Sequence, residues 1–277
     1  MKKNKFIFVI GASGRIGYEI TKYFLIKDKS LLICSSKTKS IIKTKNRLVK
    51  EFPDKVKNIK HCVLDVSNNK SIDKVFEKLK KNSIEIETVV NCAGIIDPIG
   101  EFKKADFKKW VKSININFLG PAYFYKKFIN YRFKKAKRKN IIQFSGGGAT
   151  RGIKNLSAYS VSKTAIVRLM EQLSIENNKN NFYFNAIAPG IIKSKMTNRI
   201  LNHGKKKVEK NIYKKTFLKI QQGGDNIDKT LKLIDYLISS KNTHINGKLI
   251  SSIWDNFFLL RRKKKIKNDL YTLTRNV

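Results

Sequence analysis

The 277-residue chain has three cysteines, three histidines and 20 acidic residues against 60 lysines and arginines. Cys34, Cys62 and Cys92 form an odd set without paired spacing, which argues against a disulfide framework and against a cysteine metal site. Each falls at or near the end of an apolar run, where a small buried thiol packs well. His203 stands alone in a lysine-rich stretch and reads as a solvated side chain. No cluster of metal-ligating residues is apparent, so no metal is expected. Long hydrophobic runs are missing too; the longest fall far short of the ~20 residues that a spanning helix needs. The N-terminal MKKNKFIFVI is basic and then apolar, yet it meets a glycine turn too soon for a signal peptide and reads as a first strand. The expected location is cytoplasmic.

The shortage of acids leaves a net charge of +40. The lysines are spread over every expected helix face and loop, with no interleaved aromatics, so they read as a solvated coat and not as a specific nucleic-acid surface. Arg261-Arg262-Lys263-Lys264-Lys265 is the one compact run, and it offers at most a weak contact to an anionic surface.

What is present is a core: 41% of the residues are hydrophobic. Strand-length apolar runs cover 6–10, 31–34, 59–64, 88–91, 140–144, 182–187 and 248–251. Helical periodicity covers 15–27, 38–51, 70–81, 106–135, 157–177 and 226–239. This alternation predicts an α/β fold, a Rossmann-like doubly wound parallel sheet of about seven strands with helices on both faces. Residues 1–255 form a single domain in this reading. Within it, 191–224 is a polar, mobile substrate-loop insertion, and 256–277 is a basic appendage.

In such a sheet the ligand lies beyond the strand C-termini. Gly11-Ala12-Ser13-Gly14-Arg15-Ile16-Gly17 follows the first strand and opens a helix there. Gly11 permits the tight turn, Gly14 lets the backbone approach a phosphate, Gly17 allows close helix packing, and the helix dipole favours the anion. Other candidate cofactor contacts sit at further strand ends: Asp65-Val66, Asn91, Ala93 and Gly94, and then Pro189, Gly190, Ile192 and Ser194. The second strand ends in Ser35-Ser36-Lys37, without the acid that would bind a ribose 2′-hydroxyl. Ser36, Lys37 and Arg15 favour a 2′-phosphate, so NADP(H) is expected over NAD(H).

Tyr159 and Lys163 stand at i and i+4 on one helix face. A free phenol, with a pKa of about 10, is a poor proton donor and acceptor at neutral pH. A neighbouring ammonium is expected to lower it. Ser145 ends the fifth strand, where its hydroxyl can donate to a substrate oxygen.

Over residues 5–255 these pieces resemble the short-chain dehydrogenase/reductases. The matching segments are GASGRIG, Asp65-Val66, Asn91-Cys92-Ala93-Gly94, Asn117-Phe118-Leu119-Gly120, FSGGGA at 144–149, Tyr159-Ser160-Val161-Ser162-Lys163 and Ala188-Pro189-Gly190. The resemblance implies Tyr159 as general acid/base and Lys163 as its pKa tuner and a ribose ligand. It also implies Ser145 orienting a substrate carbonyl, Asn117 (with Asn115 its competitor) holding a relay water, and Ser194 near the carboxamide. The implied reaction is hydride transfer between a nicotinamide and a small carbonyl or alcohol, without metal. Homodimers or homotetramers built on the helices near 106–135 and 157–177 are implied as well.

The spacing departs from the usual pattern in two places. G-x-x-G-x-x-G looks more like the extended, sugar-nucleotide-modifying branch, and Ser145 lies fourteen residues before Tyr159 where thirteen is commoner. Trp254-Asp255 and 269–273 resemble a bacterial polysaccharide-biosynthesis subgroup, although Trp254 itself reads as a hydrophobic plug or dimer contact. Phe102, Phe107 and Trp110 are expected to pack in the core. The leading expectation is NADPH-dependent reduction of a sugar- or acyl-type carbonyl. The alternatives are an epimerase or dehydratase that recycles its cofactor, and a non-catalytic basic binding protein.

Overall fold

A computed structural model describes residues 5–131, 138–177, 179–239, 241–242, 244–256, 260 and 270–274. Seven strands form one sheet: β1 (Lys5–Ile10), β2 (Ser30–Ser35), β3 (Ile59–Val63), β4 (Glu85–Asn91), β5 (Lys139–Phe144), β6 (Phe182–Ala188) and β7 (Lys248–Ser251). Their order is β3-β2-β1-β4-β5-β6-β7, and every pairing is parallel. The order reverses between β1 and β4, which opens the crevice that such sheets use for ligands.

The strands read as continuous apolar runs because both faces are covered. On one face, α1 (Arg15–Ile26), α2 (Thr38–Glu51) and α9 (Ile227–Ile238) bury Ile20, Phe24, Leu48, Leu233 and Ile234 against Ile7, Val9 and Ile33. On the other, α3 (Asn69–Lys81), α5 (Gly120–Asn130) and α6 (Ser157–Glu176) bury Phe76, Phe124, Phe128, Ile166 and Met170 against Phe8, Val89 and Phe184. In α3 the local logic is plain. Asn68 accepts from the Ser71 N–H at 3.2 Å to start the helix, and Ile72, Val75, Phe76 and Leu79 make one buried stripe.

The expected helix over 106–135 is divided. α4 (Phe107–Ile114) and α5 flank a π turn over Asn115–Leu119, in which the Gly120 N–H donates to the Asn115 carbonyl. Pro121 stands in the first turn of α5, where its missing N–H is tolerated. Residues 132–135 of that expected helix lie outside the described residues.

The segment 191–224, expected as a mobile insertion, is folded into α7 (Lys195–Lys207) and α8 (Lys210–Gln221). Ser194 and Thr197 form a capping box that starts α7, and Ile200, Val208 and Ile212 pack with Ile96, Ile99 and Leu156. Nor is the end of the chain wholly an appendage. The Leu249 N–H of β7 donates to the Tyr271 carbonyl at 2.7 Å, and the Leu273 N–H donates to Glu171 Oε1 at 2.7 Å. The basic run 261–265 lies outside the described residues. No described helix is long and apolar enough to cross a membrane.

Phe102, Phe107 and Trp110 do not enter the core. The two phenylalanines are 61% and 64% exposed, and both pack on Trp110, the Phe107 ring stacked at 5.7 Å. Cys34 is buried, and Cys62 and Cys92 are partly buried free thiols.

Candidate active site

The glycine turn is shaped by close approach. Gly11 has φ +85°, and a Cβ there would stand 2.8 Å from the Ala93 nitrogen. A Cβ on Gly17 would stand 2.4 Å from the Gly11 carbonyl oxygen, so helix α1 can lie this close to the turn only with glycine present. Gly14 is the N-cap of α1, with no side-chain cap and no acid in the first turn. The helix N-terminus and its dipole are thereby left open to an anion. These residues fit the diphosphate of a dinucleotide. Ser36 and Lys37 are exposed at the end of β2, and Arg15 forms an ion pair with Glu19 at 3.2 Å.

Two of the expected cofactor contacts have structural work as well. Asn91 is fully buried, donates to Gln143 Oε1 at 2.9 Å and accepts from the Ala93 N–H at 3.1 Å, so its side chain shapes the loop that carries Ala93 and Gly94. Asp65 accepts from the Ser67 N–H and hydroxyl at 3.0 and 2.7 Å, and Val66 is buried.

One cleft of about 190 Å³ brings the chemical residues together, against the ~10–15 Å³ that a single water requires. Its walls include Ile16, Ala93 and Gly94 from the cofactor side, Ser145, Tyr159 and Lys163, and Pro189, Gly190, Ile192 and Ser194 after β6. Lys163 is buried and donates to the Phe144 carbonyl at 2.9 Å. Asn117 is 1% exposed; its Oδ1 accepts from the Ile95 N–H at 2.9 Å, while its Nδ2 donates to the Ile95 carbonyl and to Ser162 Oγ. A Cβ on Gly94 would lie 3.2 Å from Asn117 Oδ1 and 3.5 Å from Lys163 Nζ, so Asn117 flanks the lysine. Ser145 lines the cleft, with a long 3.4 Å contact from its hydroxyl to the Lys163 carbonyl.

The fourteen-residue serine spacing has a steric explanation. A Cβ on Gly146 would come within 2.4 Å of Tyr159 Oη, and one on Gly148 within 3.1 Å of the Tyr159 ring. A serine in the commoner register would displace the phenol.

The expected lowering of the Tyr159 pKa is not found. Burial pushes the phenol up to about 12, and burial lowers the Lys163 ammonium to about 8. Lys163 Nζ is 5.8 Å from the Tyr159 ring centroid and is bonded to Phe144 instead. Desolvation of the phenolate outweighs the distant charge.

Several features were not singled out from the sequence. Asp225 accepts from the Ile191 N–H at 2.7 Å while its own N–H donates to the Ile191 carbonyl at 2.9 Å, pinning the 190–192 segment. Arg151, Ile153, Leu156, Ile212 and Lys215 line the cleft. Trp254, expected as a plug or dimer contact, stands at the rim of the same cleft with the Lys215 ammonium 4.8 Å above its ring. His203 lies elsewhere, bonded to the Arg199 carbonyl. Among the described residues no cluster suits a metal.

Known proteins resemble the chain in sequence and fold. An uncharacterized oxidoreductase of Schizosaccharomyces pombe is 26% identical over 185 residues, which is 66% of this chain and 59% of that protein. A 3-oxoacyl-(acyl-carrier-protein) reductase of Buchnera aphidicola is 27% identical over 253 residues, covering 90% of this chain and 96% of that one. The fold matches an actinorhodin polyketide ketoreductase crystallised with NADPH, with a TM-score of 0.78 at 17% identity over 90% of this chain and 95% of that chain. Residues 5–205 match the short chain dehydrogenase family, and the chain belongs to it, an oxidoreductase family that uses a nicotinamide dinucleotide.

Proposed function

We propose that the protein reduces an apolar carbonyl compound, with NADPH as the hydride donor. The observation that carries this reading is the meeting of Tyr159 and Lys163 with the glycine turn's Ile16 and the Ala93-Gly94 loop around one cleft. NADPH, when bound, supplies the hydride. The N-terminus of α1 would hold the diphosphate, and Lys37, Ser36 and Arg15 would hold the 2′-phosphate. Arg15 would then give up part of its pairing with Glu19.

Tyr159 donates a proton from Oη to the carbonyl oxygen as that oxygen gains charge. A phenol whose pKa stands at about 12 is protonated throughout the neutral range, which suits reduction more than oxidation. Ser145, whose neighbour Gly146 lies against the phenol, orients the carbonyl. Lys163 holds positive charge beside the site up to about pH 8, and Asn117 flanks it for proton resupply.

The apolar walls favour an acyl-type body over a sugar, whose hydroxyls would be left unpaired there. Exposed Phe107, Val111, Leu119 and Val161 on α4, the π turn and α6 support association of copies through that face. The test is a panel of aliphatic ketones, acyl carbonyls and sugar nucleotides with NADPH or NADH. NADPH oxidation with apolar ketones, at a several-fold lower KM than for NADH, is expected. Equal use of the two cofactors would remove the 2′-phosphate reading, and oxidation with sugar nucleotides alone would remove the acyl one.

A further inference from the structure

Resting on that carbonyl-reductase reading, the structure assigns the cleft an anionic substrate: a carbonyl compound with an apolar body and a carboxylate or phosphate at its far end. Around Tyr159 the cleft is lined by Ile96, Ile153, Leu156, Ile200 and Ile212, which favour an apolar ligand body. Two cations interrupt this apolar lining, Arg151 after the glycine run and Lys215 from α8, and no aspartate or glutamate lines the cleft among the described residues. Neither cation forms an ion pair among the described residues.

Lys215 has a defined place. Its ammonium lies 4.8 Å over the Trp254 ring, a cation–π contact that holds the charge at the rim. Arg151 presents a planar fork suited to the oxygens of a carboxylate or phosphate. Lys163, the third cation of the wall, is taken up by the Phe144 carbonyl. A neutral ketone would leave Arg151 and Lys215 without counter-charge, whereas an anion paired with either would anchor the substrate through its charged end.

The test measures binding by isothermal titration to the NADPH-loaded protein, with three probes of equal chain length. These are a medium-chain oxo-carboxylate, its methyl ester and the corresponding oxo-alkyl phosphate. At moderate salt, at least one of the two anions is expected to bind about tenfold more tightly than the ester, close to what two partly exposed ion pairs supply. The tighter of the two names the anion.

In the Arg151→Gln/Lys215→Gln double variant the preference should vanish, with NADPH binding reporting that the variant is folded. The same change of charge at Lys78 and Lys80, exposed on α3 away from the cleft, should leave the preference in place. Equal binding of ester and anions overturns the inference. So does a preference that survives in the cleft double variant, or one that the α3 control removes equally, since the overall +40 charge would then be its source. Preferential binding of an anion without NADPH oxidation would instead uphold the charged site and defeat the reductase reading.

Discussion

At Lys163 the proposed function and stability conflict. Its pKa of about 8 in the folded chain lies below the ordinary lysine value of 10.5, and burial is the principal cause. Below about pH 8 the amine is charged in both states, and the buried charge weakens the fold. As pH rises from 8 toward 10.5 the unfolded chain binds a proton that the folded one does not, so this residue's contribution to stability increases. Lys163→Met removes the charge at similar length. Relative to wild type, the variant's stability in urea is expected to fall by ~2–3 kcal/mol between pH 7 and pH 10, because a tenfold change in proton affinity corresponds to ~1.4 kcal/mol. A difference that does not change with pH would contradict the assignment. That Ser145, Tyr159 and Lys163 line one cleft was anticipated from the motif resemblance and not from spacing alone, since the serine stands one residue off the commoner register. The raised pKa of Tyr159 was not legible, because it depends on burial. Nor were Asp225, Arg151 and Lys215, because a polar residue in a lysine-rich chain carries no local signal of what it faces.

Among the elements, the π turn decides where Asn117 points. A Cβ on Gly120 would stand 1.8 Å from the Val66 carbonyl oxygen, so the turn can lie against the end of β3 only with glycine there. Gly120→Ala is therefore expected to exceed the ~1–3 kcal/mol of ordinary overpacking, because the obstacle is backbone. Gly152→Ala, with nothing within 4 Å of the added carbon, serves as the control and should shift stability by under ~1 kcal/mol. Thermal unfolding of the two variants settles it, and similar behaviour would contradict the packing described. The strand positions were readable to within a few residues, since continuous apolar runs end where the turns begin. The division of 106–135 was less readable because apolar periodicity continues across it, although Pro121 marked the place. In 191–224, Ile200, Val208 and Ile212 were diluted by lysines, which hid two helices that pack beside the cleft.

Across the whole molecule, the reversal of strand order between β1 and β4 places the glycine turn, the Ala93-Gly94 loop and the loop after β6 around one crevice. This arrangement was legible because βα alternation leaves few topologies open. The fate of the chain's end was not, since the bonds from Leu249 to Tyr271 and from Leu273 to Glu171 join segments distant in sequence. Only 20 acids are available to 60 cations, so most cations must face solvent.

The central claim is that Tyr159 supplies the proton for hydride transfer in this cleft, and steady-state kinetics of Tyr159→Phe with NADPH and an accepted ketone tests it most directly. The variant retains the ring that packs beside Gly148 and loses only the acid. A fall in kcat of ~10²–10⁴, with NADPH affinity changed less than about threefold, is the predicted result. Turnover within about tenfold of the parent protein would contradict the account.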